Sequence, residues 1–389
     1  MTNAPSLRIV QLDVLRAIAV LLVLVRHLAQ GKNNDALNDF ITRVSQAPAD
    51  WRHAGAVAVG ALYRCGWIGV DIFFVLSGFL VSGLLFREMK RTGQMRLGRF
   101  LVRRGFKIYP AFYLFLALTL IAIVLFTDRV FNGLAAFCET TFTQNYGPNL
   151  WGHTWSLAVE EHFYLLLGLI LVVLHRYGAV RLVPQLFLIV AILELALRII
   201  TSVAVPSFDF KTHVFATHLR IDALFYGVAL SYYFHLEPHR LAFAEQPGFR
   251  PLLLVASLLL LAPSMVLPQS GFFPRTVGLT GLSLGSTGLL LWSLTGPTSR
   301  NPVVQASTRL LARTGFHSYS IYLWHLPVLV FGVPLAERLA GRLIHRPLGL
   351  VGALTVYVIG SLVVGIAAAK VIEIPSLRLR DRWFPSLSA

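Results

Sequence analysis

Two side chains on the first apolar stretch, Arg16 and His27, are of types that handle anions and protons. The stretch reads LDVLRAIAVLLVLVRHL and also carries Asp13 and Arg26. On a helix, the spacing of Arg16 and His27 amounts to a rise of about 16 Å, with the side chains roughly 20° apart around the axis. They share a face at different depths and cannot touch, so Arg16 does not orient His27. A neutral imidazole suits proton abstraction near physiological pH. A charge at the centre of a spanning helix costs about 2.5–3.5 kcal/mol on insertion scales, which makes such groups functional candidates. Taken alone, the pair also fits two groups snorkelling to opposite interfaces.

Further polar groups interrupt later apolar stretches. RFLVRRGFKIYPAFYL sets Arg103, Arg104 and Lys107 ahead of Pro110. Guanidinium forks match phosphate oxygens, so these cations could clamp a phosphorylated ligand; anchoring to lipid phosphates is equally open. HTWSLAVEEHFYLLL brings Glu160, Glu161 and His162 into the first two turns of a lipid-like helix. Glu160 and Tyr164 fall on one face, with Glu161 about 100° away. Which carboxylate faces other helices is open. GWIGVDIFFVLSGFLVSGLLF holds Asp71 near one end, where water could solvate it. Its small residues Ser77, Gly78, Ser82 and Gly83 suit close helix packing. THLRIDALFYG carries Arg220 and Asp222, which could compensate one another; YSIYLWHLP carries His325, a core or site histidine; VIEIP carries Glu373.

The elements that position these groups must be membrane helices. Of 389 residues, 56% are hydrophobic and 13% charged, with a mean hydropathy of +0.68. A soluble domain is about a quarter charged, so this chain cannot cover itself in water. The fold class expected is all-α: a single polytopic membrane domain over residues 1–389, of about ten transmembrane helices. The spans read as Leu12–Leu28, Gly66–Phe86, Phe100–Phe126, Thr154–His175, Leu182–Val203, Leu219–Phe234, Pro251–Leu267, Thr276–Leu294, Tyr319–Val333 and Leu348–Ile372. No appended soluble domain and no internal repeat is expected, and AIAVLLVLV, followed directly by Arg26, reads as a retained anchor.

Lys and Arg number 34 against 18 Asp and Glu, a formal charge of +16. The cations concentrate in alternate connections, above all between Arg87 and Arg104, which puts that loop and both termini in the cytosol. Nucleic acid is not an expected partner, because no aromatic and basic interleaving accompanies the charge. Cys65 and Cys138 are too few and too isolated for a metal site or a disulfide framework. Both fall in outer connections, where a disulfide between them stays open and two separate thiols are favoured.

LDVLRAIAVLLVLVRH, GVDIFFVLSGFL, RFLVRRGFKIYP, TWSLAVEEHFYL, RIDALFYG, YSIYLWHLP and EIP, in this order from Asp13 to Pro375, together resemble the integral-membrane acyltransferase-3 family. The resemblance implies transfer of an acyl group, commonly acetyl from acetyl-CoA or another acyl-CoA, to hydroxyls of extracytoplasmic saccharides or glycolipids. It implies a multi-pass protein of the bacterial inner membrane, among membrane lipids, with no metal. The family's essential arginine and histidine fall on Arg16 and His27. Its basic pair falls on Arg104 and Lys107, a departure, since arginine is usual at the second position; Arg103 is a further candidate there. His162 stands where the family usually has glutamine, and the acid before the late proline is Glu373. The resemblance leaves the acceptor and the oligomeric state open.

That chemistry needs a base for the hydroxyl proton, help for the oxyanion and a dry site. The catalytic candidates are His27, Arg16, Glu160 and Glu161; the donor-binding candidates are Arg103, Arg104 and Lys107. Asp13, Asp71, Arg220, Asp222, His325 and Glu373 are candidates for substrate contact or polar structure. Depth assigns Arg16, Arg104, Lys107 and Glu373 to the cytosolic side and His27, Glu160, Glu161, Arg220 and Asp222 to the outer side, with a glutamate orienting either His27 or the acceptor. No G-x-S-x-G elbow is present, which argues against a Ser acyl-enzyme; direct transfer and a transient acyl-His27 stay open. The rival reading is a transporter or flippase using the same charges as an ion relay.

Overall fold

The computed structural model describes residues 9–28, 39, 51–127, 131–296, 299–343 and 349–385. Every regular element among them is helical. The helices that matter for the site are α1 (Val10–His27), α2 (Trp51–Thr92), α3 (Leu97–Phe126), α4 (Gly133–Thr140), α5 (Trp155–Arg176), α6 (Val183–Ala204) and α7 (Ile221–Leu236). They continue as α8 (Phe249–Leu261), α9 (Val277–Leu294), α10 (Pro302–Phe316), α11 (Ser318–Pro327), α12 (Val333–Leu343), α13 (Gly349–Ala368) and α14 (Ile374–Trp383).

The ten expected spans fall largely on helices, with a turn at Ala262 inside the seventh, and Leu348, the first residue of the tenth, lies outside the described residues. Eight stretches are long and apolar enough to cross a bilayer. The remaining two expected spans are α1, charged at Asp13, Arg16 and Arg26, and α7, with sixteen residues. Both sit among other helices. From Ile221 to Tyr232 every residue of α7 is buried, as a helix apolar all round must be. The α2–α7 contact is close because Gly78 has no side chain: a Cβ there would lie 1.9 Å from the Leu224 carbonyl oxygen. The small-residue stripe is thus partly a packing surface, as read from the sequence.

The helix α10 is one that hydropathy did not mark. PVVQASTRLLARTGF is too polar to span, yet Asn301 caps it by accepting from the Val303 and Val304 amides, with Pro302 in the first turn. Its end presses on α1: a Cβ on Gly315 would lie 1.7 Å from the Asp13 carbonyl oxygen. Two π-helical turns, Val328–Gly332 after α11 and Ala369–Glu373 after α13, interrupt the last two spans. Cys65 and Cys138 are buried free thiols, as expected from their isolation.

The buried charges pair differently from the sequence reading. Arg220 and Asp222 do not compensate one another, because residues two apart at a helix start point to different sides. Arg220 donates to Asp71 at 2.9 Å, and Asp71 is 1% exposed, enclosed and not solvated. Asp222 instead accepts from Arg198 of α6 at 2.5 Å. Arg198 also donates to the Leu219 carbonyl at 2.8 Å and the Thr280 hydroxyl at 3.0 Å, and lies 3.5 Å from Glu194. Glu194 accepts the Asp222 amide at 3.0 Å. Glu194 and Arg198 fall inside the expected span Leu182–Val203 and are not among the candidate site residues. The available signal was their i, i+4 spacing, which puts opposite charges on one face.

Candidate functional site

A cavity of about 110 Å³ opens among α1, α2, α3, α5 and the α10–α11 junction. Its polar wall is built from Arg16, Ser77, Arg104, Lys107, Glu160, Glu161 and three tyrosines, Tyr164, Tyr319 and Tyr322. Helix periodicity explains the set: Arg104 and Lys107 are three apart on α3, and Glu160 and Tyr164 four apart on α5.

Each cation has a distinct environment. Arg16 donates to Asp13 at 2.9 Å. Lys107 pairs with Glu373 at 3.1 Å, and Ser320 donates to the other oxygen of that carboxylate at 2.7 Å. Glu373 closes the π-helical turn after α13, which turns its carboxylate toward α3. The Arg104 guanidinium lies 4.1 Å from the Tyr164 ring centroid, and its buried Nε has no hydrogen-bond partner. Arg103 is turned away from this wall, about 100° from Arg104 around the helix. It donates to Asp381 at 3.1 Å and to the Phe384 carbonyl, both at the C-terminal end.

Both carboxylates of the EEH motif face the cavity. Glu160 accepts from Ser77 at 3.1 Å and from the Tyr164 hydroxyl; Glu161 accepts from Tyr109 at 3.0 Å. Their hydrogen-bond partners do not include His27. They share a cavity with Arg16, Arg104 and Lys107, the cations that the sequence assigns to the other depth. The helix α5 starts at Trp155 and carries Glu160 about one and a half turns along its axis to this wall.

His27 lies in the adjoining layer, with two histidines. Its Nδ1 is 2.9 Å from the Val23 carbonyl and 3.3 Å from Nε2 of His325. The His325 ring meets His153 edge-on at 4.8 Å. Tyr322 joins this layer to the cavity: it lines the wall, and its hydroxyl donates to the His153 carbonyl at 2.6 Å and is 2.6 Å from the Ser156 hydroxyl. His162 stands apart, 2.7 Å from Thr217.

Sequence reading missed His153, because it precedes the span in the short turn Gly152–Thr154. That turn is held by Glu139 of α4, outside the spanning segments. One oxygen of Glu139 accepts from the Leu150 and Trp151 amides, both at 3.1 Å, and from the Thr154 hydroxyl at 2.9 Å. Burial pushes the Glu139 carboxyl up to about 7. Among the described residues, no group of three or more His, Cys, Asp or Glu has the arrangement to hold a metal ion.

The family model for an acyltransferase domain matches residues 9–370. The peptidoglycan O-acetyltransferase OatA of Listeria monocytogenes is 28% identical over 295 residues, covering 70% of this chain and 46% of that protein. The putative peptidoglycan O-acetyltransferase YrhL of Bacillus subtilis is 28% identical over 292 residues, 70% of this chain and 45% of its own length. The O-acetyltransferase OatA of Staphylococcus aureus is 28% identical over 291 residues, 68% of this chain and 46% of its own. The chain thus spans less than half the length of these relatives. No solved structure matches.

Proposed function

From the premise that this multi-pass membrane chain belongs to the acyltransferase-3 family, we propose that it moves an acyl group, most simply acetyl, from cytosolic acyl-CoA to a hydroxyl of an extracytoplasmic saccharide or glycolipid. The relatives named as peptidoglycan O-acetyltransferases support a saccharide acceptor. The working membrane is the bacterial inner membrane, with both termini in the cytosol and residues 1–389 acting as one membrane domain.

One observation carries this reading: a cavity with cations on its wall abuts a layer containing His27. Arg104 fits an anionic ligand, because its buried Nε lacks a partner and its guanidinium is held against Tyr164. Lys107 would exchange Glu373 for a phosphate. Arg16 would guide the donor along α1, the rise of about 16 Å to His27 being comparable to the reach of an extended pantetheine arm. Glu160 and Glu161 offset the cationic charge so that the spent donor leaves.

His27 then takes the acceptor's hydroxyl proton, the oxygen attacks the thioester carbonyl, and the carbon–sulfur bond breaks. His27 returns the proton to the departing thiolate. The acyl group crosses while the charged nucleotide stays on its own side.

Calorimetry with CoA on the detergent-purified chain tests the donor half. Arg104→Ala and Lys107→Ala should each weaken CoA binding by about 10- to 100-fold, as expected for a lost charged hydrogen bond. Arg103→Ala, which removes a guanidinium paired with Asp381, should leave affinity unchanged. Affinity indifferent to the Arg104 and Lys107 changes would refute the clamp.

A further inference from the structure

We infer that His325 is the positioning partner of His27, its bare Nε2 accepting the Nδ1–H of His27 while Nε2 of His27 takes the acceptor's proton. The inference rests on the reading above that His27 is the base.

Carbonyl oxygens only accept, so each contact with one fixes a proton. His27 Nδ1 faces the Val23 carbonyl at 2.9 Å and therefore carries hydrogen. His325 Nδ1 faces the Tyr322 carbonyl at 2.6 Å and carries hydrogen too. A neutral imidazole has one N–H, so Nε2 of each ring is a bare lone pair. The bare Nε2 of His325 lies 3.3 Å from the protonated Nδ1 of His27, a donor facing an acceptor. The other bare nitrogen, Nε2 of His27, makes no hydrogen bond to any described residue and is available to a substrate hydroxyl.

His325 is built to hold still. It is fully buried, and the edge of His153 packs on it. Pro327 supplies the reason His153 is there. With no N–H, it leaves the Leu323 carbonyl without its helical donor, and Nε2 of His153 occupies that carbonyl at 3.1 Å. The helix then passes into the π-helical turn Val328–Gly332, a local form frequent at functional sites.

During transfer the hydroxyl proton moves to Nε2 of His27, and the resulting imidazolium shares its Nδ1–H between Val23 and His325. A hydrogen bond from a charged donor is about twice as strong as a neutral one, so the contact matters most when the proton has moved. His325 neither gains nor loses a proton in this step. When His27 reprotonates the thiolate, the neutral pair is restored.

The test uses vesicles from cells expressing the full chain, given labelled acetyl-CoA, with label counted in the glycan fraction. His325→Leu should lower turnover by about 10- to 100-fold with the donor KM unchanged. His325→Gln, whose amide oxygen can accept from His27, should recover most of that loss. Full turnover in His325→Leu, or equal losses in both variants, would overturn the role. Nitrogen-15 NMR of the histidine-labelled wild type keeps the proposal testable where a variant fails to fold: a proton found on Nε2 of His325 contradicts it. Absence of labelling by the wild type, with the expected ring protonation seen, would count against acyl transfer instead.

Discussion

His27→Ala should lose acyl transfer by about 10²–10⁴-fold, the range expected when a general base is removed. The protein should still insert and bind CoA, because the cations facing the cavity belong to Arg16, Arg104 and Lys107. Measuring both quantities on one preparation separates the base from the clamp. His27→Ala with near-normal transfer would move the proton to another group, His153 being a candidate through its buried, unpartnered Nδ1. Loss of CoA binding together with transfer would mean that His27 supports the cavity itself.

Arg198→Leu is expected to produce the largest loss of stability. Removing the guanidinium leaves Asp222, 0% exposed, and Glu194, 3% exposed, without a cation where water does not reach. Breaking a buried pair by deleting one partner costs about 3–5 kcal/mol, because the surviving charge is stranded. Thermal unfolding in detergent should register this as a sharply lowered midpoint. Arg198→Leu combined with Asp222→Asn should recover part of it, since the stranded charge is then gone. An Arg198→Leu midpoint equal to that of the wild type would show that the pair does not hold α6 to α7.

A linear pattern encodes apolar runs and local spacing, but not which helices become neighbours. Hydropathy marks a span because the bilayer demands about twenty apolar residues in a row. That is why the segments that carry eight long apolar helices were legible. Arg16, Arg104, Lys107, Glu160 and Glu161 were legible as charges in costly positions, and they do meet in one cavity. Partnership was not legible. Asp222 meets Arg198 and Arg220 meets Asp71 only because α7 lies between α2 and α6, and no local spacing encodes that neighbourhood. Arg103 and Arg104 are adjacent in sequence yet diverge around α3. His153 was hidden for a different reason: it sits in a turn, where a histidine carries no insertion cost and gives no warning. α10 was hidden because fifteen residues with a polar face resemble a loop to any measure of average hydropathy.

The proposed transfer requires sidedness: donor on the cytosolic face, acceptor hydroxyl on the opposite one, and His27 between them. Sealed vesicles of the two orientations, each given labelled acetyl-CoA on the outside only, test this directly. Inverted vesicles, which expose the cytosolic face, should transfer label to the enclosed glycan, and Arg104→Ala and His27→Ala should sharply lower that signal. Right-side-out vesicles should show none until made permeable. Equal labelling in both orientations, or labelling confined to the right-side-out vesicles, would contradict transfer across the membrane from a cytosolic donor.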